Sequence, residues 1–326
     1  MVRSEDTPGR GDAFFSPKPA SGPRPHVHGL AADGAGFFLD AYPSTMAALM
    51  RAVPKAALAA ALAALSLLSG CATTSGRHST AVALDAILAG PRPAAQRRWD
   101  RDRHPVQTLL FFGLRPTSRV LQVWPRADGY YTRIIAPLVR LRGRFDAALI
   151  DPGQSAFLTA RNARYRRLLA LSPHLYDRVQ VVMFPSDGGN AVPPGSVNLV
   201  VAFGVLHQWL ARGEASAALH TLHRALVPGG VLGVVDNRAA PGAPRDPHAL
   251  TGYVRQSSAI KLIEASGFRL VAASEVNANP RDHKVYPAGA WTLPPTYRLG
   301  KTDRAHYAAI GEPDRFTLKF VKVPLR

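Results

Sequence analysis

Short apolar runs alternate with helical patterns along most of this chain. Seven of the runs are typical of buried strands, because apolar residues dominate them and turn residues bound them. They are Val120–Val123, Phe145–Asp151, Val179–Phe184, Asn198–Phe203, Val231–Asp236, Phe268–Val276 and Phe316–Val323. Strands that alternate with helices predict a doubly wound, seven-stranded α/β sheet, and we expect the last two strands to form an antiparallel pair.

Apolar residues at helical spacing fill most of the gaps between these runs. The predicted helices are Val82–Leu88, Val106–Gly113, Thr132–Leu141, Ser155–Leu171, Ala215–Leu226 and Val254–Ala265. We expect two sets of polar residues on these helices to face solvent: Arg161, Arg164, Arg166, Arg167, His220 and His223. Two further segments predict loops, because one is rich in Pro and Gly and the other lacks periodicity: Ala239–His248 and Asn277–Pro295.

The first strand, its turn and the following helix form the unit around which the rest of the sheet is organised. Pro125 and Gly129 end the strand Val120–Val123. In such a unit the backbone N–H groups of the turn and of the helix N-terminus face a bound ligand. Ligand loops of this kind usually contain two or three glycines, whereas this loop retains Gly129 and has Trp124 and Arg126 nearby. A ligand site and an ordinary strand–turn–helix unit are equally consistent with it.

Side chains that suit a nucleoside follow the other parallel strands. Asp151 ends the second strand, where a carboxylate can accept hydrogen bonds from ribose hydroxyls or can cap the next helix. Asp187 follows the third strand, where it would meet an adenine amino group or form an ordinary Asp-Gly turn. His207 and Trp209 follow the fourth strand and Asp236 ends the fifth, so we expect them at the crevice along the carboxyl ends.

His207 is the candidate general base of this crevice. Its reference pKa of about 6.5 suits proton transfer near neutral pH. Trp209 can supply an apolar or cation-stabilising wall, and Asp236 is either a second candidate base or the group that orients His207. A structural role, in which His207 hydrogen-bonds its loop to the sheet, is equally consistent with the sequence.

The N-terminal part of the chain has the features of an export signal. Residues 1–49 are rich in Gly, Pro and Ala without periodicity, which indicates a disordered segment or a start codon assigned too far upstream. Residues 50–71 contain two basic residues, the apolar run Ala56–Leu68 and then Leu68-Ser-Gly-Cys71, which resembles a bacterial lipobox. We expect a lipid on Cys71 that anchors a periplasm-facing protein to the membrane. A simple secretory peptide, or a buried helix with an incidental Cys, is the alternative.

The anchor is followed by a tether and one domain. Residues 72–96 predict a polar tether (Ala72–Ser79) and a small helix, and residues 97–324 predict the α/β domain. The formal net charge is +18, with 34 basic and 17 acidic residues after residue 70. Because 33 of the 40 basic residues are Arg and no aromatic–basic motif accompanies them, we attribute the charge to a GC-rich coding bias and expect no nucleic-acid partner. Attraction to anionic lipid head groups stays open.

Several short motifs in the domain have distinctive sequences. They are Arg103-His-Pro105, Leu109–Gly113, Tyr131–Pro137, His207-Gln-Trp209, Leu226–Gly230, Gly252–Arg255, Asn277–Pro280, Trp291–Pro295 and Thr317–Phe320. With the strand pattern they resemble class I S-adenosylmethionine-dependent methyltransferases, and more closely a group of exported bacterial predicted methyltransferases. The resemblance covers residues 97–324 and implies a Rossmann-like fold with S-adenosylmethionine as the cofactor.

The resemblance also assigns roles to individual residues. It implies that the cofactor contacts Gln122, Gly129, Asp151, Asp187 and Trp209. Gln122 stands where the superfamily usually has an acid that helps to hold the methionine end, and Trp124-Pro-Arg-Ala-Asp-Gly129 stands in place of its glycine-rich turn. A Gln side chain can accept a hydrogen bond from an ammonium group only through its uncharged carbonyl oxygen.

The sequence therefore predicts an S-adenosylmethionine-dependent methyltransferase of the cell envelope with an unknown methyl acceptor. The ribose acid and the crevice residues His207, Trp209, Asp236 and Tyr253 favour this interpretation. The alternative is a non-catalytic descendant of the family, a lipoprotein that acts as a binding module or envelope scaffold. The altered loop, and the scarcity of the cofactor expected outside the cytoplasm, favour that alternative.

Overall fold

The computed structural model describes residues 75–244 and 246–324. The predicted export signal and the lipobox residue Cys71 lie outside the described residues. Among the described residues, no helix is both long enough and apolar enough to cross a membrane.

Helices and strands alternate through the described part of the chain. The helices are α1 (residues 75–89), α2 (Ala94–Arg103), α3 (Pro105–Phe112), α4 (Thr132–Val139), α5 (Ala156–Ala170), α6 (Pro173–Tyr176), α7 (Leu206–Arg212), α8 (Ala215–Ala225), α9 (Gln256–Ala265) and α10 (Arg304–Ile310), with one 3₁₀ turn at Gly289–Thr292. The strands are β1 (Arg119–Val123), β2 (Arg144–Ile150), β3 (Val179–Phe184), β4 (Val197–Phe203), β5 (Leu226–Asn237), β6 (Phe268–Ser274) and β7 (Arg315–Lys322).

The seven strands form one mixed sheet in the order β3-β2-β1-β4-β5-β7-β6. The first five pair in parallel, and β7 lies antiparallel between β5 and β6. This arrangement confirms the predicted doubly wound α/β fold with an antiparallel C-terminal pair. The strand order reverses between β1 and β4, and in open α/β sheets the ligand crevice lies at the carboxyl ends of the strands beside such a reversal.

Alternate residues of the strands face two separate layers of helices. Val120, Leu199 and Val201 pack with α1 and α3 to α6, which we call the α4 face. Leu121, Val200 and Ala202 pack with α7, α8 and α9, which we call the α8 face. Strands that are buried on both faces are nearly continuous in apolar residues, which is why the sequence pattern located them.

Some local predictions were wrong. Residues 75–79 of the predicted tether are helical, and the Ser79 and Thr80 hydroxyls donate to the Gly76 carbonyl inside α1. Leu141 lies beyond α4 and is exposed. His223 is buried rather than on the surface, because its Nε2 lies 2.8 Å from the Val323 carbonyl oxygen and its ring packs on Phe268.

Candidate functional site

Trp124 occupies the loop position that directly follows β1. Its backbone N–H donates to the carbonyl of Ala148 in β2 at 2.8 Å, which continues the strand pairing by one residue. Its φ is 45°, in the left-handed region that non-glycine residues rarely adopt. The side chain is 4% exposed, so the residue that stands in the place of a loop glycine is buried in the protein.

The Trp124 indole packs in an aromatic cluster on the α8 face. Its ring lies edge-on to Phe184 at 6.1 Å and to Trp209 at 5.9 Å between centroids. The Phe184 and Trp209 rings are nearly parallel, with centroids 6.0 Å apart. These three residues, which we call the crevice aromatics, come from the ends of β1 and β3 and from the helix after β4. They therefore fill the space along the carboxyl ends where the sequence predicts a nucleoside.

Two indole N–H groups in this cluster are buried without a hydrogen-bond acceptor in the described part of the chain. They belong to Trp124 and Trp209. A buried donor without a partner loses its hydration and gains nothing in return. The crevice aromatics thus combine flat apolar surfaces with two donors that lack acceptors, which suits a planar ligand that carries acceptor nitrogens or oxygens.

Arginine side chains surround the loop that follows β1. Arg161 donates to the carbonyls of Trp124 at 3.3 Å and Pro125 at 3.2 Å, and the Arg212 guanidinium carbon lies 5.5 Å from the Trp124 ring centroid. Arg126 pairs with Asp128 within the loop at 3.0 Å. The prediction that Arg161 belongs to a solvated face was wrong, because the loop carbonyls hold it against the protein. Burial lowers the pKa of Arg161, and the charges of Arg126 and Arg212 lower it further.

Gly129 has a packing role in the loop turn. Its φ is 64°, and a Cβ atom placed on it would lie 2.7 Å from Leu168 Cδ1 in α5. The Gly129 N–H donates to the Arg126 carbonyl at 2.8 Å. These contacts explain why position 129 is a glycine, and the explanation does not require a bound ligand.

Gln122 lies on the α4 face, on the side of the sheet opposite the crevice aromatics. Its side-chain carbonyl accepts a hydrogen bond from the Thr132 hydroxyl at 3.1 Å, and Thr132 lies 2.9 Å from the Tyr165 hydroxyl. Gln122 is buried. The residue that the resemblance assigns to the methionine end of the cofactor therefore ties β1 to α4 and α5.

Asp151 and Asp187 lie in exposed turns. Each accepts a hydrogen bond from the backbone N–H two residues further on, at 2.9 Å from Gly153 and at 2.8 Å from Gly189. These are Asx turns, which Asp forms without any ligand. Both carboxylates are nevertheless at the carboxyl ends of β2 and β3, as the sequence predicts, and both are accessible to solvent.

His207 and Asp236 form a buried pair at the carboxyl ends of β4 and β5. The His207 Nδ1 lies 2.7 Å from one Asp236 carboxylate oxygen, and the His207 backbone N–H donates to the other at 3.1 Å. The Asn237 backbone N–H also donates to this carboxylate, at 2.7 Å. When Nδ1 carries the proton, Nε2 is the ring atom that can accept one.

The protonation of His207 depends on competing effects. Burial lowers its pKa, whereas the charge of Asp236 and the hydrogen bond to it raise it. The charge of Arg315 lowers the pKa of His207. The centroid of the Trp291 ring lies 6.0 Å from that of the imidazole. The balance raises the pKa of His207 above its ordinary value.

A buried ion cluster lies beside this pair. Arg103 of α2 donates to Glu312 at 2.6 Å, and Arg315 of β7 pairs with the same carboxylate. The Arg103 guanidinium carbon lies 4.4 Å from the Trp99 ring centroid and 4.5 Å from that of Tyr130. Burial opposes the ionisation of Glu312, but the two arginines outweigh it and hold its pKa at about 2.

Tyr253 and His104 do not contact the His207–Asp236 pair through hydrogen bonds in the described part of the chain. The Tyr253 hydroxyl donates to Asp282 at 3.0 Å, which ties the segment after β5 to the loop before the 3₁₀ turn. His104 has a φ of 37° and separates α2 from α3, and its Nδ1 is buried without a partner in residues 75–244 and 246–324. An open pocket of about 260 Å³ lies at the opposite, amino end of the strands, between Phe112, Arg115 and Asn198.

The structure thus brings together His207 and Asp236, and it joins Trp209 to two aromatic residues that the sequence did not single out as ligands. Gln122 and Trp209 lie on opposite faces of the sheet, and Asp151 and Asp187 lie in separate turns. The helical spacing of the sequence contained one signal that could have identified Arg161 as an inward-facing residue. Arg161 stands three residues after Leu158 and four before Tyr165, which places it on the inward side of α5.

Comparisons with known proteins concern the fold. No protein-family model matches the chain, and no curated protein matches it either. The solved structures similar to this chain include a SAM-dependent methyltransferase from Aquifex aeolicus, at 17% identity and a TM-score of 0.45, covering 72% of this chain and 100% of that one. The [4+2]-cyclase SpnF is similar at 18% identity and a TM-score of 0.49, covering 77% of this chain and 96% of that one.

A third similar structure is the O-methyltransferase NcsB1 from neocarzinostatin biosynthesis, in complex with S-adenosyl-L-homocysteine and 1,4-dihydroxy-2-naphthoic acid. It is 16% identical with a TM-score of 0.44, and the match covers 70% of this chain and 56% of that one. The fold of this chain is established by its own strand order. The β5-β7-β6 antiparallel arrangement on a parallel sheet, with helices on both faces, is a Rossmann-like α/β fold.

Proposed function

We propose that this chain is an S-adenosylmethionine-dependent methyltransferase of the bacterial cell envelope, in which His207 is the general base. The observation that carries the proposal is the contact of 2.7 Å between His207 Nδ1 and Asp236 at the carboxyl ends of two central strands. A buried His–Asp pair at this edge of the sheet supports a general base role, because the carboxylate can orient the imidazole.

His207 takes the proton of the methyl acceptor through Nε2. Asp236 accepts the Nδ1 hydrogen bond, which keeps the imidazole in the required tautomer and stabilises the imidazolium ion that forms. Two backbone N–H groups, from His207 and Asn237, hold the carboxylate in place. When S-adenosylmethionine is bound, it supplies an electrophilic methyl group.

The side chains at the crevice suit a nucleoside in their chemistry. The exposed carboxylate of Asp151 would accept hydrogen bonds from ribose hydroxyls, and a purine in the place of Trp124 would make edge-to-face contacts with Phe184 and Trp209. The unpaired N–H of the Trp209 indole would donate to a ring nitrogen. Trp124 occupies this space in the structure, so the fit requires that its side chain move.

A second candidate function follows from Trp124. A crevice that is closed by a buried indole and edged by arginines also suits a protein that has lost the cofactor and kept the fold. This candidate is a non-catalytic lipoprotein, which acts as a binding module or scaffold in the envelope.

Two measurements on the full chain in detergent distinguish the two candidate functions. Cofactor affinity is measured by calorimetry, and methyl transfer is measured from labelled S-adenosylmethionine to envelope extracts. For His207→Ala we expect transfer to fall by about a hundredfold with affinity retained, because the base acts after binding. For Asp151→Ala we expect affinity to fall, because a ribose contact is lost.

The matched control is His220→Ala, which removes an exposed histidine of α8 and should leave both measurements unchanged. Full transfer without the His207 imidazole would remove that residue from the mechanism. No heat at millimolar cofactor, with either the wild type or a variant that opens the crevice, would favour the non-catalytic candidate.

A further inference from the structure

We propose that Trp124 is an internal occupant of the nucleoside crevice, which a purine ring must displace in order to bind. This inference rests on the proposed function, because it concerns the same crevice. It identifies Trp124 as a specificity-determining residue that sets the affinity for nucleosides.

The backbone directs the Trp124 side chain into the crevice. The N–H of Trp124 is fixed to β2 by its hydrogen bond to the Ala148 carbonyl. At a left-handed φ of 45°, its side chain packs against Phe184 and Trp209 on the α8 face. Because bulky residues rarely adopt this conformation, the contacts that the indole makes must hold it there.

The indole has the size of the ligand ring that it replaces. A purine and an indole are both planar nine-atom bicyclic systems. Trp124 is buried by its two aromatic neighbours, and Arg212 lies over its ring at 5.5 Å. A purine that entered the same space would make the same edge-to-face contacts with Phe184 and Trp209.

While the Trp124 indole is buried in the crevice, two indole N–H groups lack hydrogen-bond acceptors in the described part of the chain. The Nε1 groups of Trp124 and Trp209 are buried and have no acceptor within the described ranges. A purine carries ring nitrogens that accept hydrogen bonds, so its entry supplies an acceptor for Trp209 while the displaced Trp124 indole returns to water. These hydrogen bonds offset part of the cost of exposing the apolar indole ring to water, and the remaining cost lowers the affinity of the wild type for the ligand.

Arg161 stabilises the loop conformation in which the Trp124 indole is buried. Its guanidinium donates to the carbonyls of Trp124 and Pro125, at 3.3 and 3.2 Å. These two bonds fix the loop backbone on which the indole is mounted. A change at Arg161 should therefore loosen the loop without removing the indole.

The test compares adenosine and S-adenosylmethionine binding to the full chain in detergent, by calorimetry. We expect Trp124→Gly to bind adenosine at least about tenfold more tightly than the wild type, because no indole has to be displaced. Trp124→Phe, which keeps a smaller ring, should lie between the two, and so should Arg161→Gln. If the glycine variant does not fold, the phenylalanine variant carries the comparison.

The control is Phe112→Ala, which opens a ring-sized cavity on the α4 face, away from the crevice aromatics. It should bind adenosine as the wild type does. Equal affinity of wild type and Trp124→Gly would overturn the role of Trp124 and leave the proposed function intact. If neither protein binds adenosine or S-adenosylmethionine, both proposals fall. If Trp124→Gly binds tightly and no variant transfers methyl groups, the crevice inference stands and the enzyme proposal fails.

Discussion

At the scale of single residues, His207 shows how two neighbours decide a protonation state. Burial and Arg315 both lower the pKa of His207, and Asp236 outweighs them. A pKa raised in the folded state stabilises the fold fully below the ordinary value of about 6.5, and this contribution is lost as the pH rises through the folded value. A base with a raised pKa also becomes active only at the higher pH at which it is neutral.

We predict that Asp236→Asn lowers the pKa of His207 below about 6.5, because burial and Arg315 remain while the carboxylate charge is gone. The measurement is an NMR titration of the imidazole, assigned with His207→Gln. In urea unfolding, the wild type should lose more stability between about pH 6 and pH 9 than Asp236→Asn does. A pKa that is the same in both proteins would show that the carboxylate does not control the imidazole.

Contacts that follow from the order of the parallel strands could be predicted, and contacts outside that order could not. The position of His207 after β4 and of Asp236 at the end of β5 follows from the strand pattern, because parallel strands end at one edge of the sheet. The Arg103–Glu312 pair joins residues 209 positions apart, and neither residue lies in a strand of the sheet. Nothing in the spacing of either residue indicates the other.

At the scale of elements, the sequence located all seven strands because each contains an apolar run. The central strands are buried on both faces in apolar layers, whereas the edge strands β3 and β6 are partly exposed. Helix α2 was missed for the opposite reason. Its sequence is polar on every side, and the residues that it buries are Gln96 and Arg103, so it has no apolar stripe to detect. Polar contacts such as the hydrogen bond from Gln96 to the Asp128 carbonyl dock it instead.

The approach of α3 to β5 depends on Gly233. A Cβ atom at this position would lie 2.5 Å from Cγ of Phe112, a ring that is itself 1% exposed and cannot move aside. We predict that Gly233→Ala lowers the free energy of unfolding by about 1–3 kcal/mol, as overpacking in a dense core does. Denaturant unfolding checks this.

The matched control for Gly233→Ala is Gly242→Ala. A Cβ atom at Gly242 would meet no other atom within 4 Å. The free energy of unfolding of this variant should stay within about 0.5 kcal/mol of the wild type. Equal stability of the two variants would mean that α3 and β5 are not as closely packed as described.

At the scale of the whole molecule, two forces can hold the protein at a membrane. The chain after residue 70 has 34 basic and 17 acidic residues, and under the proposed envelope location this excess of positive charge would attract anionic lipid head groups. This attraction weakens as salt shortens the range of electrostatic interactions. A lipid on Cys71 would add an apolar anchor that salt does not weaken, because burial of acyl chains does not depend on charge.

We predict that the wild type stays in the membrane fraction through a wash in molar salt, whereas Cys71→Ala is released by it. Before the wash both proteins should sediment with membranes, because both keep the basic domain. Thr73→Ala, next to the predicted lipobox, is the control and should behave as the wild type. Mass spectrometry of the mature N-terminus measures the lipid directly. A wild type that salt releases and that carries no lipid mass would leave charge as the sole membrane contact and would remove the anchor from the proposal.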